Sequence, residues 1–346
     1  MEVFCKITTL IISELHGGII PRRTTYDLVR KYIIDNTSIT QIVDLGSGIF
    51  EKVTASTIIL QLNNLIRTDN EVTVLTQVHD FSLRLFDTSI IHQNQFLKNI
   101  SYAFNIFGNN VVCRILQEIE HNCYHLGNIC SYISPGIDGD KNKYVSDNMA
   151  SEQYKPLLYG KNIKRYAIQF DDNYILYDKK LLNRSRNEII YLTPKIITQR
   201  ISGGTKPIIA AIDYNQFYTF NSVNNIILKD KTIGLKNVVA LLNSNIINWY
   251  YANNFSNNST LTVNISKTYL EKLPIPEISK EIENQLNDLV NIIMEKKSID
   301  SNTDTSKEEQ EIDLIVYKLY GLTYDEVKVV DSETSITEEE YEAMDD

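Results

Sequence analysis

Cations able to neutralise phosphates are crowded into one stretch of this chain. Between Ser151 and Leu235 there are 13 Lys and Arg against 7 Asp and Glu, in a 346-residue sequence of formal net charge −10. Such a local excess is an electrostatic footprint for a polyanion. Its placement points the same way. Lys161, Lys164 and Arg165 precede one β-type run, Arg200 follows another, and Lys206 stands beside Gly203-Gly204. Loops held on a rigid sheet are where backbone phosphates and base edges are usually met. A later uncharged loop, FSNNSTLTVNIS, adds Asn257, Asn258 and Ser259, whose amides and hydroxyl suit base edges in a groove. Arg22 and Arg23 form a second phosphate-holding pair or, equally, a solvated turn.

Two other constellations carry chemistry on paper. VDLGSG, from Val43 to Gly48, has the Asp-x-Gly-x-Gly look of a cofactor loop, whose glycines let the backbone approach a ligand. A cofactor loop leads into a crossover helix and a second parallel strand. Only about eight residues separate Gly48 from the next apolar run, too few for that crossover. A turn between two paired strands is the expected reading. EHNCYHLGNIC gathers His121, Cys123, His125 and Cys130, but its spacing fits no zinc pattern, and ordinary core and surface residues are expected there.

The elements that position these residues read as follows. Phe4, Ile7, Ile11 and Leu15 recur at helical spacing, which predicts an amphipathic helix over residues 1–15, followed by a short strand at IIPRR. DLVRKYIIDN predicts a helix burying Leu28, Val29, Tyr32 and Ile33, and ITQIVDLG and STIILQL predict two strands forming a hairpin. Residues 63–112 are polar and rich in Asn, and are expected as a linker region with irregular strands and a short helix, and VVCRILQEIEHN reads as helical. Strands are expected at 166–170, 174–177, 195–200, 207–212, 217–220 and 225–228, with a hairpin turn at Asp171-Asp172-Asn173. A helix over residues 235–254 is expected to bury Trp249, Tyr250 and Tyr251. KKSIDSNTDTSKEEQ reads as a mobile loop between two helices, and EEEYEAMDD as a frayed acidic end.

Composition sets the frame. From Asp300 onward there are 16 acidic and 3 basic residues, so the sequence pI near 5.1 reports the tail and does not argue against a nucleic-acid partner. Four cysteines make no disulfide framework, and no apolar run approaches the ~20 residues of a membrane span. The expected location is cytoplasmic.

Five blocks, LLYGKNIKRY, PKIITQR, FYTFNSVNNI, ALLNSNIINWYY and YLEKLPIP, occur in order over residues 157–276. Together they resemble the C-terminal target-recognition domain of TaqI-type adenine-specific DNA methyltransferases, a family that includes fused restriction-modification enzymes. PGIDGDKNKYV resembles the Gly-rich segment leading into that module, with Asp138 where a Thr is usual. Gly17-Gly18, Ile20-Pro21, Val29-Arg30, Asp44 and Phe50 resemble the end of the family's catalytic domain.

The resemblance implies an α/β plus α+β chain. The end of a Rossmann-like methyltransferase sheet (1–75) is followed by a linker (76–113), a mixed α/β target-recognition domain (114–276), C-terminal helices (277–330) and an acidic tail (331–346). It implies double-stranded DNA as partner, with Lys161, Lys164, Arg165, Arg200, Gly203, Gly204, Lys206, Asn257, Asn258 and Ser259 at the interface, and Arg22 and Arg23 near the active-site mouth. The family's Asn-Pro-Pro-Tyr or Asp-Pro-Pro-Tyr motif, which holds the flipped adenine, occurs nowhere in the sequence. The expectation is therefore a specificity part acting with a separate catalytic half. S-adenosylmethionine is expected in the assembled enzyme and no cofactor on this chain alone, and an associated nuclease is a further companion the family allows. The alternatives are a complete methyltransferase using Asp44–Gly48 as cofactor loop, and an inert truncated remnant.

Overall fold

In the computed structural model, residues 7–13, 26–47, 56–80, 85–106, 110–182, 186–229, 233–255 and 263–343 are described. They fall into two compact units, Met1–Gln117 with Asn253–Asn258, and Glu118–Ala252 with Ser259–Asp346.

Unit 1 is built on β1 (Ile7–Ser13), α1 (Asp27–Asn36), β2 (Ser38–Ser47), β3 (Ser56–Asn63), β4 (Glu71–Asp80) and β5 (Leu85–His92). The strands make one sheet in the order β1-β3-β2-β4-β5. β2 and β3 pair antiparallel, as the hairpin reading expects, while β2 and β4 run parallel. Ile33 and Ile34 of α1 pack on Ile42, Leu60, Val72, Val74 and Ile91, with Phe96 and Phe104 closing the cluster. Buried Gln93 joins these layers: its amide nitrogen donates to the Ile34 and Thr37 carbonyls, and its oxygen accepts from Ile39 N–H and Asn70.

Three expectations are corrected in this unit. Residues 7–13 form a strand and not a helix. ITTLIIS is dominated by β-branched side chains, which favour a pleated ladder over the crowded turn of a helix. α1 exists as expected but turns a different face inward, with Leu28 76% and Tyr32 67% exposed and Arg30 fully buried. The Arg30 guanidinium donates to the Ser101 carbonyl at 3.0 and 2.7 Å, which satisfies the charge-bearing group. Finally, the strands expected to be irregular within residues 63–112 are regular: β4 and β5 pair antiparallel in the sheet. The IIPRR strand, with Arg22 and Arg23, lies outside the described residues.

Unit 2 takes up β6 (Cys123–His125), α3 (Leu126–Ile129), β7 (Cys130–Pro135), α4 (Lys141–Tyr144), β8 (Val145–Ser146) and β9 (Tyr154–Leu158). It continues through β10 (Ile163–Lys164), β11 (Ala167–Ile168), β12 (Tyr174–Leu176), α5 (Ile189–Leu192), β13 (Lys195–Gln199) and β14 (Ile201–Ser202). Next come β15 (Ala210–Asp213), β16 (Tyr218–Thr219), β17 (Val223–Leu228), α6 (Leu235–Asn243), β18 (Val263–Asn264), α8 (Lys267–Leu270) and β19 (Pro274–Pro276), α7 (Asn245–Phe255) following α6. α9 (Lys280–Ile299), α10 (Ser306–Leu319), α11 (Tyr324–Val330) and α12 (Glu338–Glu342) end the chain; α2 (Asn110–Glu120) lies ahead of β6.

Several small sheets result, the larger two ordered β16-β9-β12-β8 and β15-β13-β17-β7. An aromatic cluster including Tyr144, Tyr191, Tyr218 and Phe220 fills one core, and Leu158, Ile163, Ile197, Ala211 and Val223 a second.

The expected strands are found within a few residues, yet Asp171-Asp172-Asn173 is not a hairpin. Its flanks pair elsewhere, β11 with β10 and β12 with β8 and β9. The expected single helix over 235–254 is broken at Ser244, whose hydroxyl donates to the Leu241 carbonyl. Tyr250 and Tyr251 are fully buried, as helical spacing indicates, whereas Trp249 is only half-buried. The expected loop after Lys296 shrinks to residues 300–305, because α9 continues to Ile299 and α10 starts at Ser306. The acidic end is likewise helical over Glu338–Glu342. Thr337 and Glu340 form a capping box at the start of α12, and Tyr341, 1% exposed, donates to the Leu322 carbonyl. No helix among the described residues is long and apolar enough to cross a membrane.

Candidate nucleic-acid interface

The cations from the sequence reading separate into two settings. Lys164 and Arg165 lie at the two-residue turn of the β10–β11 hairpin, where Lys164 pairs with Ala167. Tyr166 takes φ +62° there, a left-handed conformation held by its own burial and by its N–H donating to the Ala210 carbonyl. This leaves Lys164 exposed but turns Arg165 toward α10, where Nε and Nη2 both donate to Glu309 at 2.8 and 2.6 Å. Arg165 is therefore engaged inside the fold, and the neighbouring Glu309 and Asp313 carboxylates, prevailing over burial, raise its pKa. Lys206 is exposed and lines a 490 Å³ cavity with Lys297, Asp304, Glu309, Asp313 and Asp331. Gly204, two residues before it, has φ +82°, which explains the glycine in that turn.

Arg200 stands in the other setting, where four loops converge. Gly136 N–H donates to the Val223 carbonyl, Ile137 N–H to Thr219, and Ile137 bridges Phe220, so the loop bearing Asp138 is clamped to the β16–β17 turn. That turn carries Asn221 and Ser222. Gly160 N–H donates to the Ser222 hydroxyl at 3.1 Å and Arg200 N–H to the Ser222 carbonyl at 2.9 Å. Ser222 thus pins the loop of Lys161 and the loop of Arg200 together. Arg200 Nη1 donates to the Asn221 carbonyl at 3.2 Å, and the Asn221 amide donates to the Asp138 carboxylate at 3.1 Å. Lys141 sits 4.8 Å from the Tyr159 ring centroid and 5.1 Å from that of Phe220. Lys161, with its side chain 69% exposed, ion-pairs with Asp171 at 2.5 Å, a surface pair worth little and open to a competing anion.

Asn257, Asn258 and Ser259 lie outside the described residues. The strand after them is described: β18 pairs with β14, and Ile265 N–H donates to the Arg200 carbonyl. The chain leaving that loop is thereby fixed beside Arg200. Asp138, Lys141, Asn221 and Ser222 were not singled out as site residues from the sequence. Of these four, only Asp138 was marked in advance, by its departure from the usual Thr.

Most of the Asn-rich motif residues serve the scaffold. Asn243 exchanges two 3.0 Å hydrogen bonds with Ala210 N–H and C=O on β15, and Asn248 accepts from Ile208 N–H. Asn225 donates to Thr219, and Asn224 to the Ile265 carbonyl. Asn243, Asn248 and Asn224 place helix and strand by satisfying backbone groups, and Asn225 ties β17 to the Thr219 hydroxyl.

The comparisons locate this architecture. Residues 155–275 match the TaqI-like C-terminal specificity domain. That segment contains β10 to β18 and Arg200, but not Asp138 or the helices after β19. Among solved structures, the Type IIL restriction-modification enzyme MmeI in complex with DNA is similar at TM-score 0.57 and 10% identity. The match covers 97% of this chain and 49% of that one, so this chain spans about half the length of that enzyme. The DrdV-DNA complex follows at TM-score 0.48 and 10% identity, covering 84% and 38% of the two chains. The Type ISP restriction-modification enzyme LlaGI stands at 0.47 and 13%, covering 84% and 29%. No curated protein matches by sequence.

Two carboxyls drawn away from water, buried Asp313 on α10 and half-buried Glu120 on α2, fasten their helices to α7. Asp313 of α10 accepts Asn245 N–H at 2.7 Å and so caps α7, and Asn245 in turn donates to Asp331 at 2.7 Å. Burial outweighs that bond and the nearby Lys206 and Arg165, and pushes Asp313 up to about 7. Burial likewise raises Glu120 to about 7 despite the hydroxyl Tyr250 donates to it. In the unfolded chain both titrate near 4, so between pH 4 and 7 the folded state holds more protons and stability declines as pH rises. Asp313→Asn keeps an acceptor for Asn245 and removes one of these protons. Thermal melts from pH 5 to 8 should show a smaller fall in Tm for the variant, and an unchanged fall would mean that Asp313 ionises freely.

Among the described residues no group of three potential ligands is arranged to hold a metal ion. Burial pushes the Cys123 and Cys130 thiols up to about 12, opposite to what a thiolate ligand requires.

Proposed function

We propose that this chain is the sequence-recognition part of an adenine-N6 DNA methyltransferase of a restriction-modification system, contributing the DNA-reading surface and not the transfer chemistry. The observation that carries it is the specificity-domain match over residues 155–275, in a stretch rich in exposed cations. In this reading the loops around Arg200 contact double-stranded DNA, exposed Lys161, Lys164 and Lys206 hold phosphates, and unit 1 is the closing end of a Rossmann-like sheet. Asn-Pro-Pro-Tyr and Asp-Pro-Pro-Tyr are both missing from the 346 residues, so adenine capture would fall to a part or partner outside them.

S-adenosylmethionine does not fit the one segment that looks like its loop. Asp44, Gly46 and Ser47 are ladder residues of β2 opposite Ile58, Thr57 and Ser56 of an antiparallel strand, whereas a cofactor loop leaves its strand for a crossover helix. The cofactor therefore belongs to the assembled enzyme in this reading.

Gel shifts of the purified chain on mixed duplexes should give binding that weakens steeply as salt rises, since phosphate neutralisation releases counterions. Absence of any shift at low salt would end the proposal. Methyl transfer from labelled S-adenosylmethionine should require a co-purifying catalytic part; incorporation by the chain alone would overturn the division of labour.

A further inference from the structure

Arg200 differs from the other arginine of the predicted surface in what its guanidinium meets. Arg165 is closed off by Glu309, whereas among the described residues Arg200 has no carboxylate partner, and its one side-chain bond is Nη1 to the Asn221 carbonyl. That bond holds one end of the guanidinium against the β16–β17 turn. Nη2 and Nε remain as a pair of donors on a half-buried side chain. The same residue that contacts Arg200 also holds Asp138: the Asn221 amide nitrogen donates to one carboxylate oxygen, and among the described residues no side-chain bond to the other is found. Asn221 therefore holds both a two-donor fork, through its carbonyl, and an acceptor, through its amide.

The two halves of one base pair ask for that set. In the major groove guanine offers two acceptors, N7 and O6, which an arginine meets with two parallel bonds, and cytosine offers the N4 amino donor, which a carboxylate accepts. Adenine and thymine match it poorly, because adenine presents a donor where the fork needs an acceptor. We propose that Arg200 and Asp138, coupled through Asn221, read a single G·C pair in the recognised site, Arg200 on the guanine and Asp138 on the cytosine. Asn221 is a positioning residue. The inference rests on the DNA-recognition reading of the preceding section and adds to it which base pair is read and by which side chains. The clamp of Gly136 and Ile137 on Thr219, Phe220 and Val223 supplies the rigidity such reading needs, since a displaced fork loses both bonds together.

The experiment is site selection from a randomised duplex pool with the full-length protein, supplied with its co-purifying partner if one is found. Wild type, Arg200→Ala, Asp138→Asn, Asn221→Ala and Lys161→Ala are compared, each checked by thermal melting. Wild type should select a consensus containing at least one fixed G·C pair. Arg200→Ala and the near-isosteric Asp138→Asn should relax the same position, with discrimination there falling about 10-fold or more. Asn221→Ala should relax that position too, and Lys161→Ala should lower affinity evenly over all sequences. A consensus retained in full by Arg200→Ala and Asp138→Asn, or relaxed at two unrelated positions, overturns the inference and leaves DNA recognition standing. A wild-type protein that selects no consensus overturns the recognition reading itself.

Discussion

Asp213→Ala is expected to destabilise unit 2 by about 3–5 kcal/mol, enough to unfold a domain of ordinary stability. Asp213 and Lys195 face each other across β15 and β13, both with fully buried side chains. The Lys195 ammonium donates to the Asp213 carboxylate and to the Tyr191 carbonyl, and the carboxylate also accepts Asn215 N–H at 2.8 Å and Phe217 N–H at 3.0 Å. Removing the carboxylate leaves a buried cation whose amine burial already drives down, together with two backbone donors that lose their acceptor. Lys195→Met alone should cost less, because Asp213 keeps both N–H partners. The double variant should recover part of the loss. Urea unfolding followed by circular dichroism distinguishes these cases, and equal destabilisation by both single variants would show that the loop bonds at Asn215 and Phe217 contribute nothing. DNA binding should fall only as far as folding does, since neither group reaches the surface.

Lys195 also illustrates how much of the molecule was legible in its sequence. The strand containing it was readable because Ile196 and Ile197 lie within a β-branched run that ends at a charged residue, and the β2–β3 hairpin was readable for the same reason. β4 and β5 were not, since Thr73, Thr76, Thr88 and Ser89 dilute their apolar signal and a two-layer sheet needs only one apolar face. The inward face of α1 was misjudged because Arg30 looks like a solvent residue until the Ser101 carbonyl is seen to accept from it. For the site, single residues were legible and partnerships were not. Arg165 and Arg200 are indistinguishable as letters; Glu309, 144 positions from Arg165, separates them. Asp138 and Asn221 meet across 83 positions, a separation no local pattern reports.

The second large effect is expected from the smallest residue of the corner proposed to read the base pair. Gly136→Ala would place a Cβ 2.2 Å from the Thr219 carbonyl oxygen and 2.5 Å from that of Phe220, both main-chain atoms of a packed turn. Neither can rotate away as a side-chain tip would, so the strands must part. Parting them breaks the Gly136 bond to Val223 at 2.9 Å and the Ile137 bond to Thr219 at 2.8 Å. Overpacking of this kind costs about 1–3 kcal/mol and more where backbone must shift. The cost falls on the clamp that sets Asp138 against Asn221, so sequence discrimination should be lost before overall fold. At a temperature where the variant remains folded, it should bind duplex with the salt dependence of wild type but select no fixed G·C pair. Gly204→Ala is the contrasting case, because a Cβ there meets nothing within 4 Å and only the φ of +82° opposes it. Its expected cost is the smaller strain of one left-handed alanine, about 1 kcal/mol. If both variants discriminate as wild type does, the clamp is not what orients the reading side chains.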